Sequence, residues 1–159
     1  MTRYYERYYN ADPMDELDEQ VALEGGTYLV EDGGPMRRYR RFVDGELAVA
    51  IYAGWADPAE PLLELARRRE GVEAEIYSPV EVLADGGKRW RTWYVDEVGR
   101  ITKSLEPEYA RDGRRVKETL RGADGELISS TIYHYDKNDQ LLELVTHADG
   151  AVTSRQDAW

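Results

Sequence analysis

The chain has 159 residues, enough for a domain with a real core, and carries 32 acidic against 21 basic side chains, a net charge of −11. It contains no cysteine, which excludes disulfides, thiolate metal sites and thiol nucleophiles. So acidic a chain does not suit direct contact with phosphate backbones; it suits a basic partner or simple solubility.

The first element is Arg3–Tyr9 (RYYERYY), which reads as a strand with tyrosine on both faces. Asp12-Pro13-Met14-Asp15 then places an N-cap acid, an N1 proline and an acid at N3. This predicts a helix over Pro13–Leu23, with Met14, Leu17 and Val21 facing inward. Arg37–Val43 alternates as a strand. Glu46–Tyr52 is apolar on both faces, with Leu47, Val49 and Ile51 against Ala48, Ala50 and Tyr52, so it is expected to be a central strand under a helical cover. Asp57-Pro58-Ala59-Glu60 repeats the helix-start signal and opens Pro58–Glu70, with Arg67–Arg69 in the last turn and Gly71 as C-cap. Arg89–Val95, Glu126–Tyr135 and Gln140–His147 are further strands, rich in β-branched and aromatic residues.

Turn signals punctuate this order at Asp32-Gly33-Gly34, Asp44-Gly45, Asp85-Gly86-Gly87, Gly99, Asp112-Gly113, Asp124-Gly125, Asn138-Asp139 and Asp149-Gly150. Asp-Gly is the usual signal for a two-residue type I′ turn, in which both central residues take positive φ. From Gly86 onward the spacing is 11 to 14 residues, room for one strand and one turn each. The expected fold is α+β, mainly β: an antiparallel β-meander of about ten hairpin-linked strands with two short helices. We expect a single domain over residues 1–159, with a mixed α/β part over 1–88 and a hairpin-repeat sheet over 89–159. No apolar run reaches membrane-spanning length and the first 20 residues are too polar for a signal peptide, so a cytoplasmic location is expected.

Two of the turns share a longer pattern. Val95-Asp96-Glu97-Val98-Gly99-Arg100-Ile101 and Tyr135-Asp136-Lys137-Asn138-Asp139-Gln140-Leu141 both run apolar or aromatic, Asp, two residues, Gly or Asp, one residue, aliphatic. This resembles the YD repeats of Rhs-type proteins and is similar to the β-hairpin repeats of small bacterial immunity (antitoxin) proteins, over about residues 89–155. Five or six hairpins are too few to close a shell of the Rhs kind. The resemblance to immunity proteins implies a bacterial toxin inhibitor that acts by protein binding rather than catalysis.

The residues themselves offer little chemistry. The only two histidines, His134 and His147, could come together about the Lys137–Gln140 turn, and as a metal pair they would need Asp136 or Asp149 as well. There is no glycine-rich phosphate loop before a helix and no Gly-x-Ser-x-Gly elbow. No catalytic residue, metal or cofactor is therefore expected. Binding is better represented. Residues 1–35 hold 9 acids against 2 basic residues, and Asp12, Asp15, Glu16, Asp18 and Glu19 are expected to form an acidic helix face able to plug a basic cleft. Trp90, Trp93, Tyr94, Tyr133 and Tyr135 are the aromatic candidates for a partner-binding sheet face, Trp90 and Tyr94 on one side of their strand and Trp93 on the other. The expected partner is a cognate, basic protein toxin. An alternative is an acidic nucleic-acid mimic that inhibits a restriction or CRISPR effector, against which the basic runs Arg37–Arg41 and Arg111–Arg121 argue. A small enzyme or ligand-binding sheet domain would instead show a deep pocket lined by paired carboxylates or by both histidines. Open strand edges also admit a homodimer.

Overall fold

The computed structural model describes residues 2–9, 12–32 and 37–156, the side chains of Tyr9, Asp12, Arg155 and Gln156 excepted. The glycines of the Asp32-Gly33-Gly34 signal lie outside the described residues. The fold is mainly β, 55% strand and 12% helix, as expected. The strands are β1 Arg3–Tyr9, β2 Asp12–Leu17, β3 Thr27–Asp32, β4 Arg38–Val43, β5 Glu46–Ala53, β6 Glu73–Tyr77, β7 Glu81–Val82, β8 Lys88–Arg89, β9 Thr92–Val95, β10 Ile101–Tyr109, β11 Arg115–Gly122, β12 Leu127–Tyr135, β13 Leu141–His147 and β14 Val152–Gln156; α1 spans Glu19–Gly25 and α2 Ala59–Arg68. The chain divides into two compact units: Met1–Pro79 with Thr92–Ile101, and Val80–Arg91 with Thr102–Trp159.

In unit one the strands run in the order β9-β6-β5-β4-β3-β1-β2. All described pairs are antiparallel except β5 with β6, which run parallel around α2. A parallel pair needs a long crossover, and α2 provides it. The expected meander therefore carries one βαβ step. The helix also supplies the expected cover: Leu62 and Leu65 pack with Trp55 on Ala50, Tyr52, Ala74, Ile76 and Val95. The same sheet face carries α1, whose buried Ala22 meets Tyr28 and Val30, flanked by Tyr4, Leu17 and Phe42.

The opposite face holds Tyr5, Tyr8, Leu29, Tyr39, Ile51 and Ala53, with Val49 and Tyr77 against them. Tyr8 of β1 and Tyr77 of β6 have ring centroids 4.8 Å apart. Four strand spacings separate β1 from β6, about 19 Å in a flat sheet. The sheet of unit one is thus strongly curled, with a tyrosine-filled concave side.

The predicted helix over Pro13–Leu23 is not formed. Residues 12–17 are β2, paired with β1 through Tyr4↔Leu17, Tyr5↔Glu16 and Arg7↔Met14, and the helix starts only after Asp18. A cap signal is a local preference of about 1 kcal/mol. Here it yields to a ladder against β1 that also brings Leu17 onto Tyr4 and Tyr28. Pro13 is tolerated because β2 is an edge strand. In α2 the start signal works one residue out of step: Pro58, not Asp57, is the N-cap and has no side-chain cap bond, while Asp57 Oδ1 accepts the Ala59 N–H at 2.9 Å. Its end differs from expectation, for Arg69, not Gly71, is the left-handed C-cap at φ 52°.

In unit two the order is β14-β13-β12-β11-β10-β8-β7. Six turns share one design, and begin at Leu83, Asp96, Ala110, Gly122, Asp136 and His147. Asp96 belongs to unit one and the rest to unit two. The first N–H donates to the carbonyl four residues on, and the N–H three residues on donates back, at 2.8–3.1 Å. The residue three on is Gly86, Gly99, Gly113, Gly125, Asp139 or Gly150, each with φ of 60–88°. This is a type I turn followed by a left-handed residue, not the expected type I′. Asp112, Asp124 and Asp149 therefore occupy an ordinary turn position and only the glycine is left-handed. Among the described Asp-Gly pairs Asp44-Gly45 alone takes positive φ at both residues, 52° and 81°, as a type I′ turn requires.

Candidate functional site

The acidic candidates lie on β2 and the start of α1 rather than on one helix face. The side chain of Asp12 lies outside the described residues. Asp15 sits in the left-handed region at φ 59°, and its carboxylate lies 3.4 Å from Arg7. Glu16 accepts two hydrogen bonds from Arg3, at 3.0 and 2.8 Å, and these hold its carboxyl below the usual range. Asp18 occupies the N-cap of α1 without a side-chain cap bond, while its carbonyl accepts the Ala22 N–H at 3.0 Å. Glu19 accepts the Tyr4 hydroxyl at 3.0 Å, a bond that pushes the Tyr4 pKa up. The turn between β2 and α1 thus presents Glu16, Asp18 and Glu19 together around a shallow cleft that Arg3 and Tyr4 also line. The Arg3–Glu16 and Arg7–Asp15 pairs are solvent-exposed, so they are screened and readily exchanged for a partner's cations.

The aromatic candidates do not form one platform. The expected strand Arg89–Val95 is interrupted at Trp90 and Arg91: β8 ends at Arg89 and β9 begins at Thr92. Trp90 is buried in unit two and stacks on Tyr109, centroids 5.2 Å apart and planes 5° from parallel. Trp93 belongs to unit one and packs against the core under α2; Tyr94, half-buried, lies beside it on β9. Tyr133 and Tyr135 are half-buried on β12 of unit two. They lie beneath arginines, with Arg115 5.7 Å from the Tyr133 ring and Arg114 5.0 Å from the Tyr135 ring. Arg115 also donates to the Tyr109 hydroxyl at 2.9 Å and to Glu118 at 3.2 Å. Trp90, Tyr109, Arg115 and Tyr133 therefore form a ladder of stacked rings and guanidinium, which is a packing role.

The histidines are far apart. His134 pairs with Leu142 and His147 with Ser129. An offset of five residues along β12 is about 17 Å and an odd number of steps, so the rings point to opposite faces. The proposed approach about the Lys137–Gln140 turn is not made, and His147 Nε2 instead meets Thr153 Oγ1 at 3.1 Å. Among the described residues no group of three or more His, Cys, Asp or Glu is placed to hold a metal ion. A cleft of about 330 Å³ lies between the end of α2 and the Asp96–Gly99 turn, lined by Leu62, Leu65, Val72 and Val98 with Glu70 and Glu97. Asp96 also lines it, yet its Oδ1 accepts the Val98 and Arg100 N–H groups at 3.1 and 2.9 Å, a turn-building role.

Sequence reading missed a charged row across the helix-bearing face of unit one. Asp32, Arg38 and Tyr52 are direct cross-strand neighbours on β3, β4 and β5. Arg38 is only 1% exposed. It donates to Asp32 at 2.5 Å, to the Tyr52 hydroxyl at 3.0 Å and to Glu70 beyond the end of α2. Arg40 takes the second Asp32 oxygen at 2.7 Å. Burial lowers the Arg38 pKa, but the bonds to Asp32 and Tyr52 and the charge of Glu70 more than offset it, and the net shift is upward. Nothing in RRYRR marks Arg38 as the buried arginine except its place opposite Tyr52, which only the register reveals.

Across the chain the charge is unequal: unit one holds 19 acidic and 10 basic residues, unit two 13 and 11. The described residues contain no helix long and apolar enough to cross a membrane. No protein-family model, no curated protein and no solved structure matches this chain.

Proposed function

We propose that this chain is an immunity protein, an antitoxin that binds a cognate bacterial toxin of basic character in the cytoplasm and occludes it. The observation that carries the reading is the exposed acidic turn of Glu16, Asp18 and Glu19, with Asp15 beside it, in the unit that holds most of the excess negative charge. Acids held only by screened surface pairs offer a basic protein both long-range steering and exchangeable contacts. The turns at Asp96 and Asp136 are built alike, each Asp carboxylate accepting two backbone N–H groups of its own turn.

The test is growth rescue by co-expression with the toxin encoded beside it, together with binding measured over a range of salt. Glu16→Lys, Asp18→Lys and Glu19→Lys should together abolish rescue and weaken binding. Asp15→Asn is the suitable change at the fourth position, since asparagine tolerates the left-handed backbone there. Undiminished affinity in the charge-reversed protein would remove the acidic turn from the interface. Capture of a restriction or CRISPR subunit in place of a toxin would replace the immunity reading with inhibition by an acidic mimic.

A further inference from the structure

Edge strands invite pairing, and proteins guard them with prolines, charges, bulges or shortness. Two edges of this fold are guarded. The β2 edge carries Pro13 and three acids, one of them the left-handed Asp15. The β7 edge is two residues long. The β14 edge of unit two is not. Val152-Thr153-Ser154-Arg155-Gln156 has no proline and a single charge, and it pairs with β13 in an unbroken register from Thr146↔Val152 to Leu142↔Gln156.

Two further features bear on what this edge meets. None of the described side chains of β12, β13 or β14 is buried, so this end of the sheet has little core of its own and gains from added strands. Unit two is also close to charge balance, 13 acidic against 11 basic residues, whereas unit one repels its own kind with 19 against 10. Self-association is least opposed at the sheet of unit two.

We propose that β14 pairs with β14 of a second copy of this chain, antiparallel and centred on Ser154, so that the sheet continues through a two-fold axis. In that register Ser154 meets its own equivalent, Val152 meets Gln156 and Thr153 meets Arg155, so no like charges face each other. Directly paired residues share a face. Ser154 pairs with Leu144, which pairs with Ile132, so at the axis the two Ser154 residues join the Ile132–Leu144 row of each copy on one face. The axis passes perpendicular to the sheet, and the contact is isologous.

The pairing does not depend on the toxin reading and is tested on the purified chain alone. Sedimentation equilibrium over a range of protein concentrations should show the mass rising to twice that of the chain. Thr153→Lys places a cation opposite Arg155 at two symmetry-related positions and should weaken the dimer roughly fivefold; Thr153→Glu should tighten it by a similar factor. Both variants lose the His147 contact alike, so any common structural effect cancels in their comparison. The double variant Thr153→Lys with Arg155→Glu exchanges the two charges and should bind as tightly as Thr153→Glu, several-fold tighter than Thr153→Lys alone. A monomer at every concentration overturns the proposal. So does a dimer in which the Lys and Glu variants shift in the same direction, or one that neither variant changes.

Discussion

Replacing Arg38 by methionine keeps most of the aliphatic stem and removes three polar contacts at a site 1% exposed. Their loss is unequal. Asp32 keeps Arg40 at 2.7 Å, so it is not stranded. Glu70, one-fifth exposed, recovers water. Tyr52 is fully buried, and its hydroxyl would have no such recourse. An orphaned buried hydroxyl costs about 1–3 kcal/mol, and breaking a buried ion pair from one side costs about 3–5 kcal/mol. The surviving Asp32–Arg40 pair puts the sum near the lower end, about 3 kcal/mol. The assay is urea unfolding, read as a fall in midpoint at constant slope. Hydrogen exchange should report the loosening first at the C-terminal turn of α2, which Glu70 ties to the sheet. Arg38→Met combined with Tyr52→Phe should recover part of the loss, because no buried hydroxyl is then left unpaired. A single variant within about 0.5 kcal/mol of wild type, or strictly additive behaviour of the pair, would refute the view that this row clamps helix to sheet.

Other outcomes follow from the same geometry. The Tyr5 pKa is pushed up to about 12 by burial and by Glu31, which accepts its hydroxyl at 3.1 Å. The folded state therefore holds this proton when the unfolded chain, ionising near about 10, has lost it. The stabilisation is complete below about pH 10 and disappears as the pH rises through about 12; urea unfolding across that window should show a decline that Tyr5→Phe lessens. Asp96→Ala and Asp136→Ala each remove two acceptor bonds within a turn and should each lower stability by about 1–2 kcal/mol in chemical denaturation. Gly87→Ala would set a Cβ 2.5 Å from the Tyr109 carbonyl oxygen and should cost about 1–3 kcal/mol, since backbone has to move. Gly25→Ala meets nothing within 4 Å inside α1 and should stabilise by about 0.5–1 kcal/mol. Thermal melts of the two glycine variants should move in opposite directions.

Much of the fold was legible from local chemistry. Alternation marked β4, a run apolar on both faces marked β5, and aromatic or β-branched content marked β1, β12 and β13. Asp57 marked the start of α2 because a carboxylate there satisfies a free N–H. Glycine spacing marked the hairpins because only a residue tolerant of positive φ completes those turns. The turn type itself was not legible, since Asp-Gly fits either a type I′ pair or the last two positions of the longer loop, and strand register decides between them.

What lies beyond these signals was decided by which strands meet. Residues 13–17 carry a helix-start pattern yet form β2, because pairing with β1 and packing on Tyr28 outweigh a cap. The placing of Glu16 beside Arg3, the opposite facing of His134 and His147, and the burial of Arg38 between Asp32 and Tyr52 are all matters of register. Composition determined that this chain is acidic and cysteine-free, and the spacing of strands and turns that it is mainly β. Only the tertiary structure determined which acids remain at the surface and which charges the sheet encloses, because burial is a property of neighbours distant in sequence.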